Sequence, residues 1–196
     1  MAKRTLVLIR HGQYTARPLR GGAVDGQLTD LGLRQATAIA ERLSSRPAEH
    51  ITFSSLVRSR QTASVIAERM PLVPRLASHL LRECLPELPY ESDDIPVPAL
   101  PLIFRTAERT AGISQMERAA QRYLKASKEP RTEIIVTHGN VIRELARRVV
   151  GAPAGAWLHM DVAHCSVTEI SIGGNLGAML LSLNDTGHLK TALRTY

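Results

Sequence analysis

Two apolar runs in this chain end in the same way. Thr5 to Ile9 (TLVLI) is continuous in its hydrophobicity, the pattern of a strand buried on both faces of a parallel sheet, and it stops at Arg10-His11-Gly12. Glu133 to Val136 is a second such run and stops at Thr137-His138-Gly139-Asn140. Between them the period changes. Thr29 or Asp30 offers an N-cap to a helix running to about Leu43, with Leu33, Ala36, Ile39, Ala40 and Leu43 on one face. Ile51 to Phe53 predicts a short strand. Ser54 and Ser55 then turn the chain into a helix from about Val57 to Arg69, which Pro71 and Pro74 prevent from continuing. Leu76 to Leu81 supplies another strand. Ser114-Gln-Met-Glu117 has capping-box spacing and opens a helix striped by Met116, Ala120, Tyr123 and Leu124. After His138 a helix with Val141, Ile142, Leu145 and Val149 inward reaches Gly151. Val167 to Ile172 and Ala178 to Leu183, joined through Gly173-Gly174-Asn175, read as a closing hairpin.

Strands alternating with helices predict an α/β fold: a three-layer sandwich with a mostly parallel central sheet and helices on both faces. The 196 residues fit one domain, and 44% hydrophobic residues suffice for a sizeable core. A Pro-rich insertion at about 86–114, with the acidic cluster Glu91, Asp93 and Asp94, interrupts the pattern and reads either as a lid over a site or as a disordered loop. Ligands of such folds gather at the carboxyl ends of the strands, so both strand-His-Gly junctions should open on one edge of the sheet.

A formal net charge of +7 favours an anionic partner, although the basic residues are spread along the chain. Aromatic residues at 4% leave little for a base-stacking platform, and no nucleic-acid partner is expected. Cys84 and Cys165 are far apart and lack ligand spacing, which points away from a disulfide framework or a zinc finger. No apolar stretch approaches the ~18 residues of a membrane span. Only Met1 to Arg4 precede the first strand, which leaves no room for a signal peptide, so the expectation is a cytoplasmic protein without membrane association.

Two imidazoles and several guanidiniums at one sheet edge suit phosphoryl transfer, which consists largely of holding non-bridging oxygens with fixed donors during in-line attack. Arginine supplies planar, permanently charged forks for this. Arg10 sits beside His11, and Arg58 lies at a helix start, where free N–H groups add to an anion site. The surrounding positive charge keeps His11 or His138 neutral and nucleophilic. A leaving alkoxide needs a proton, and Glu83, at the end of the third strand candidate, is the best-placed carboxyl group. Taken singly, a histidine after a strand is more often structural; two identical junctions with an arginine-bearing helix start between them outweigh that reading. Other phosphate chemistries fail on their motifs. Gly21 to Gly26 has P-loop glycine spacing, but Gln27 and Leu28 stand where Lys and Ser/Thr are needed. Neither cysteine is followed six residues later by arginine. His159 and His164 flank Asp161 without a standard helical metal-ligand spacing.

These residues resemble the histidine phosphatase superfamily, the phosphoglycerate-mutase-like proteins. "LIRHG" (8–12) looks like its first signature, "SSLVRSRQTA" (54–63) is similar to its second and "VTHGN" (136–140) to its third. The resemblance implies His11 as the nucleophile, Arg10, Arg58 and His138 as the rest of the phosphate pocket, and Glu83 as the acid that protonates the leaving group and then activates water. It implies Gln13 as a pocket-lining, substrate-binding residue and no metal or organic cofactor. "RHGQY", "LLREC.PE", "HGNVIRELARRVV" followed by "GAWLHM", and "NDTGHL" look most like the mitochondrial branch that dephosphorylates phosphoserine and phosphothreonine in proteins. The expected function is therefore a phosphomonoester hydrolase acting on phosphoproteins, with small phosphate esters of sugars or nucleotide derivatives as the alternative substrate class. The anchor and partner-binding segment of that branch have no counterpart before Met1, so its location is not carried over. The loop after Gln13 lacks the Trp- and Asn-containing pattern of the glycolytic mutases. Arg17, Arg20 and Arg105 are candidate rim residues, and a homo-oligomer is left open.

Overall fold

A computed structural model of the chain describes residues 2–18, 24–87, 106–174 and 177–196, and the structural statements below refer to these. In chain order they form β1 (Arg4–Arg10), β2 (Arg17–Pro18), β3 (Val24–Asp25), α1 (Asp30–Leu43), β4 (His50–Ser54), α2 (Val57–Glu68) and β5 (Arg75–Ser78). Then follow α3 (Thr106–Tyr123), β6 (Arg131–Thr137), α4 (Gly139–Val150), β7 (Val167–Ile172) and β8 (Ala178–Asp185). The main sheet has the order β5-β4-β6-β1-β7-β8. Its first four strands are parallel to their neighbours, and the closing hairpin β7–β8 adds antiparallel to β1.

The central strands are continuous apolar runs because helices cover both of their faces. Val7, Ile9, Ile134 and Val136 pack with Ile39, Leu43 and Ile66 of α1 and α2 in one core. Leu6, Leu8 and Ile135 pack with Met116, Val141, Ile142 and Leu145 of α3 and α4 in the other.

Register does the work that matters for the site. Arg10 lies opposite Thr137 in the β1–β6 ladder, and His11 N–H extends that ladder to Thr137 O at 3.0 Å. Both strands therefore release the chain at the same level, and the two His-Gly junctions become neighbours.

The pattern misplaces some boundaries. Leu33 is 42% exposed; the buried line of α1 is Gly32, Gln35, Ala36, Ile39, Ala40 and Leu43. The reason is the docking of the first turn of α1 onto the loop after β1. A Cβ on Gly32 would stand 2.0 Å from Gln13 O, and one on Gly12 would stand 2.6 Å from Gly32 O, so the helix meets that loop backbone to backbone at Gly32. β5 ends at Ser78, and the chain tightens into a 3-10 turn at His79–Leu81, whose Leu81 carbonyl accepts from Thr137 Oγ1 at 2.8 Å. α3 begins at Thr106, ahead of the capping-box spacing at Ser114, so 106–114 of the Pro-rich stretch is helical; residues 88–105, with Arg105, lie outside the described residues, as does Arg20. The two-residue ladder of β2 and β3 pairs Arg17 with Asp25 and is too short for any periodicity to announce.

Alanine is normally preferred to glycine inside a helix by about 1 kcal/mol. At Gly32 the order should reverse. Thermal unfolding of Gly32→Ala is expected to show a loss of about 1–3 kcal/mol, the range of an overpacked contact; a neutral or stabilising result would remove the close-approach argument.

Candidate active site

Arg58 is the second residue of α2 and is 2% exposed. The N-cap of that helix, Leu56, supplies no side-chain bond. Asp25 does so from across the fold, its Oδ2 accepting from Val57 N at 2.9 Å. The same carboxylate accepts through Oδ1 from Arg58 Nη1 at 3.1 Å and from Gly26 N at 2.8 Å. So held, with Nη1 also donating to Val24 O at 2.9 Å, the guanidinium lies 4.5 Å over the Tyr14 ring and donates through Nε to Nε2 of His11 at 3.0 Å.

That bond assigns the tautomer of His11. An arginine N–H can only donate, so Nε2 carries the lone pair and Nδ1 carries the proton, which it donates to Gly12 O at 2.8 Å. The Tyr14 ring meets the imidazole edge-on at 5.1 Å. Gly12 N is fixed in turn by Thr62 Oγ1 at 3.1 Å.

His138 caps α4 with extended backbone and lies 4.9 Å, ring to ring, from His11. Its Nε2 is 2.7 Å from Ser54 Oγ at the end of β4. The Ser54 oxygen already accepts from Leu56 N at 3.3 Å, and its hydrogen has no other acceptor among the described residues. The serine therefore donates to Nε2, leaving Nδ1–H as a donor. That Nδ1 is buried without a partner, and so is Nε of Arg10.

Arg10 is gripped by the loop before β7. Its Nη1 donates to Val162 O, and its carbonyl accepts from Cys165 N at 3.0 Å. Cys165 is buried in the left-handed region at φ 55°, a strained conformation for a side chain, held by Arg10 and by His188 Nε2 at 3.0 Å from its carbonyl. Next to it His164 packs 5.5 Å, ring to ring, from His11, with Nδ1 3.0 Å from Thr195 Oγ1.

The titration behaviour follows from this crowding. Burial, coupling to the neighbouring His138 ring, and the charges of Arg58 and Arg10 lower His11 well below the ordinary 6.5; burial with Arg58, Arg10 and Arg82 does the same to His138. Burial and Arg10 push His164 down to about 4. All three imidazoles are neutral at pH 7. Glu83 moves the other way. It keeps solvent-exposed surface at the mouth, yet desolvation of its carboxyl raises its pKa above 4.5, against Arg58, Arg10, Arg143 and the Asn140 N–H.

Glu83 lies beyond the 3-10 turn, on a stretch without regular structure. Tertiary bonds fix it: Gln115 Nε2 to Arg82 O at 2.6 Å, Asn140 Nδ2 to Cys84 O at 3.3 Å and Trp157 Nε1 to Glu87 O at 2.8 Å. The structure thus gathers Arg10, His11, Arg58 and His138 into one cup with Glu83 at its rim. Gln13 is the exception. Its Oε1 accepts from Thr29 Oγ1 at 2.8 Å and its N–H donates to Gln35 Oε1 at 2.8 Å, so its side chain serves the α1 cap instead of lining the pocket. Asp25 joins the site from outside every quoted motif, Tyr14, Ser54, Thr62 and Arg143 lie inside those motifs but join it in roles the sequence did not assign, and His164 enters as a neighbour of His11. No local spacing could have found Asp25, because two of its three bonds cross to α2 and the third is only to its neighbour Gly26. Among the described residues there is no group of three or more His, Cys, Asp or Glu side chains that could hold a metal. Among them, too, no helix is long and apolar enough to cross a membrane.

A family model for the histidine phosphatase superfamily, branch 1, matches residues 6–88 and 102–186. The chain belongs to this superfamily. It is 31% identical over 191 residues to a mitochondrial serine/threonine-protein phosphatase Pgam5 from Caenorhabditis briggsae, covering 96% of this chain and 65% of that protein. Among solved structures it is similar to Bacillus stearothermophilus YhfR (TM-score 0.73, 21% identity, 94% of this chain and 98% of that one). It is also similar to a mycobacterial glucosyl-3-phosphoglycerate phosphatase (TM-score 0.68, 24% identity, 94% and 100%). These two likenesses show the fold, a phosphoglycerate-mutase-like α/β sandwich. The expectation of a cytoplasmic location is overturned: the curated relatives are named as mitochondrial proteins. The expectation rested on the short lead-in to β1, and a chain spanning 65% of its relatives' length carries no such information at its ends.

Asp25→Ala leaves the Arg58 guanidinium buried without its carboxylate. Denaturant unfolding should show a loss of about 3 kcal/mol or more, and calorimetric titration with inorganic phosphate should show weakened binding. Unchanged phosphate affinity would mean that Asp25 does not position Arg58.

Proposed function

We propose that this domain hydrolyses phosphomonoesters through a phosphohistidine on His11, with phosphoserine and phosphothreonine of proteins as substrates. One observation carries the reading: the lone pair of His11 Nε2 and two partnerless buried donors, Arg10 Nε and His138 Nδ1, share one cup. Orphaned buried donors cost about 1–3 kcal/mol each, and an anion bound among them removes that cost.

In the first step Arg58 Nε–H passes from Nε2 to a non-bridging oxygen of the ester, and Nε2, its single lone pair released, attacks phosphorus as the ester P–O bond breaks. Arg10, Arg58 and His138 hold the non-bridging oxygens as their charge redistributes. The Nδ1–H bond to Gly12 O stabilises the positive charge that the ring acquires. Glu83 in its acid form, which desolvation favours by raising its pKa, gives its proton to the departing alkoxide. In the second step Glu83, now a carboxylate, takes a proton from water as that water attacks phosphorus; the P–N bond breaks and inorganic phosphate leaves. The relatives named as serine/threonine-protein phosphatases support the phosphoprotein assignment. A panel of phosphopeptides and metabolite phosphates tests it; exclusive turnover of small esters would transfer the site to metabolite chemistry.

His11→Ala should abolish hydrolysis of an aryl phosphate while the protein stays folded by circular dichroism. Glu83→Gln should slow alkyl phosphates far more than aryl phosphates, since only a poor leaving group needs the proton. The sign of the pH effect is fixed as well. The acid form of Glu83 is required, so alkyl-phosphate turnover falls as pH rises through its elevated pKa, and Glu83→Gln should flatten that limb. Equal losses across a leaving-group series would remove Glu83 from its role.

A further inference from the structure

Arg143 is a third guanidinium at the cup, and the phosphoryl group does not account for it. It lies on α4, five residues after His138, within electrostatic reach of both Arg10 and Glu83. Its side chain is loosely tied. Nη1 reaches Asn140 Oδ1 at 3.5 Å, Nη2 stands 3.9 Å from Asp161, whose side chain is 57% exposed, and the buried Nε has no hydrogen-bond partner.

The contrast with the next turn of the same helix is direct. Arg147 and Arg148 hold the buried carboxylate of Glu144 at 2.7 and 2.8 Å. Near the N-terminus of β1, Arg4 holds Glu133 through two bonds of 2.7 and 2.8 Å. Where this fold uses arginine as structure, it supplies a close carboxylate. Arg143 instead faces a like charge, and the two guanidiniums disfavour one another; Arg143 contributes to lowering the pKa of Arg10.

Arg10, Arg58 and His138 already frame the phosphoryl oxygens around His11. Arg143 is linked through Asn140 to the segment that carries Glu83, the acid of the proposed reaction, and so to the departing alcohol. An anion held there belongs to the alcohol, not to the phosphoryl group. We propose that Arg143 is a specificity-determining residue that binds a carboxylate on the leaving group, a few atoms from the ester oxygen. Guanidinium and carboxylate match as a planar fork, and such a pair gives Arg143 the close partner that Asp161 at 3.9 Å does not supply. The carboxylate can be the α-carboxylate of free phosphoserine or an acidic side chain flanking a phosphoserine in a protein. This inference rests on the hydrolase reading above, but its test does not require turnover.

The test uses the His11→Ala protein, which cannot form the phosphohistidine, and isothermal titration. O-phosphoserine and O-phosphoethanolamine differ only in the carboxylate. Tighter binding of phosphoserine, by at least about fivefold, is expected from one charge-assisted pair. Arg143→Gln in the same background should bring the two ligands to parity, and Arg143→Lys should keep part of the preference. Arg82→Gln, which removes a different cation near His138, should leave the ratio where it was. No preference in the parent, an unchanged ratio in Arg143→Gln, or an equal loss in Arg82→Gln would each overturn the proposal, the last by reducing it to a general field effect. Phosphoserine peptides with Asp or Asn as the following residue distinguish the two sources of carboxylate: a preference for Asp that vanishes with Arg143→Gln assigns the acidic side chain, and a preference confined to free phosphoserine assigns the α-carboxylate. Turnover of the same compounds by the unsubstituted protein reports separately on the hydrolase reading.

Discussion

The hydrogen bond that Arg58 donates to Nε2 of His11, 3.0 Å long and buried, sets the terms for the rest of the structure. A guanidinium against an imidazole is stable only if the imidazole is neutral and offers that nitrogen as the acceptor. Gly12 O accepts a hydrogen bond from Nδ1–H, burial excludes the water that would solvate an imidazolium, and Asp25 compensates the arginine. Each partner excludes the wrong protonation state, and together they keep a nucleophilic lone pair in the middle of a cationic cup.

Such an arrangement needs a rigid frame. The parallel register of β1 with β6 places the two His-Gly junctions side by side, and α2 brings Arg58 in from a third direction with its helix N-terminus capped by Asp25. The loop before β7 adds a fourth support: it grips Arg10 by side chain and carbonyl at the cost of a left-handed Cys165. Glu83 rides on irregular chain, and the bonds from Gln115, Asn140 and Trp157 around it supply the rigidity that a strand would otherwise give.

Most of the layers were readable from periodicity, because a strand buried on both faces and a helix buried on one leave different signatures. TLVLI and EIIV announce central strands, and the sharp change to Arg-His-Gly and Thr-His-Gly announces where the core ends and chemistry begins. Leu33 fits the apolar stripe of α1 yet is exposed, because docking on Gln13, a tertiary contact, turns Gly32 inward. The helix from Thr106 to Ser114 was missed for a related reason: the prolines before it dominate the local pattern, while its hold on the fold comes through Gly112 against Leu85 and Gln115 against Leu80 and Arg82. The catalytic candidates next to strand ends were legible; Asp25, Ser54 and Arg143, which act through bonds and fields crossing between elements, were not. Gln13 follows a signature glycine, and its side-chain oxygen accepts from the α1 cap residue Thr29, a tertiary bond that position after the glycine does not announce.

The central claim concerns which ring nitrogen of His11 is free and which receives phosphorus. Nitrogen-15 NMR of protein labelled in histidine, before and after reaction with a phosphate ester under conditions that accumulate the intermediate, measures both. The structure requires a protonated Nδ1 and an unprotonated Nε2 in the free protein and a ring held neutral below its ordinary range, and the proposed reaction predicts phosphorus coupled to Nε2 afterwards. A free protein with the proton on Nε2, or a phosphoryl group on Nδ1, would contradict it.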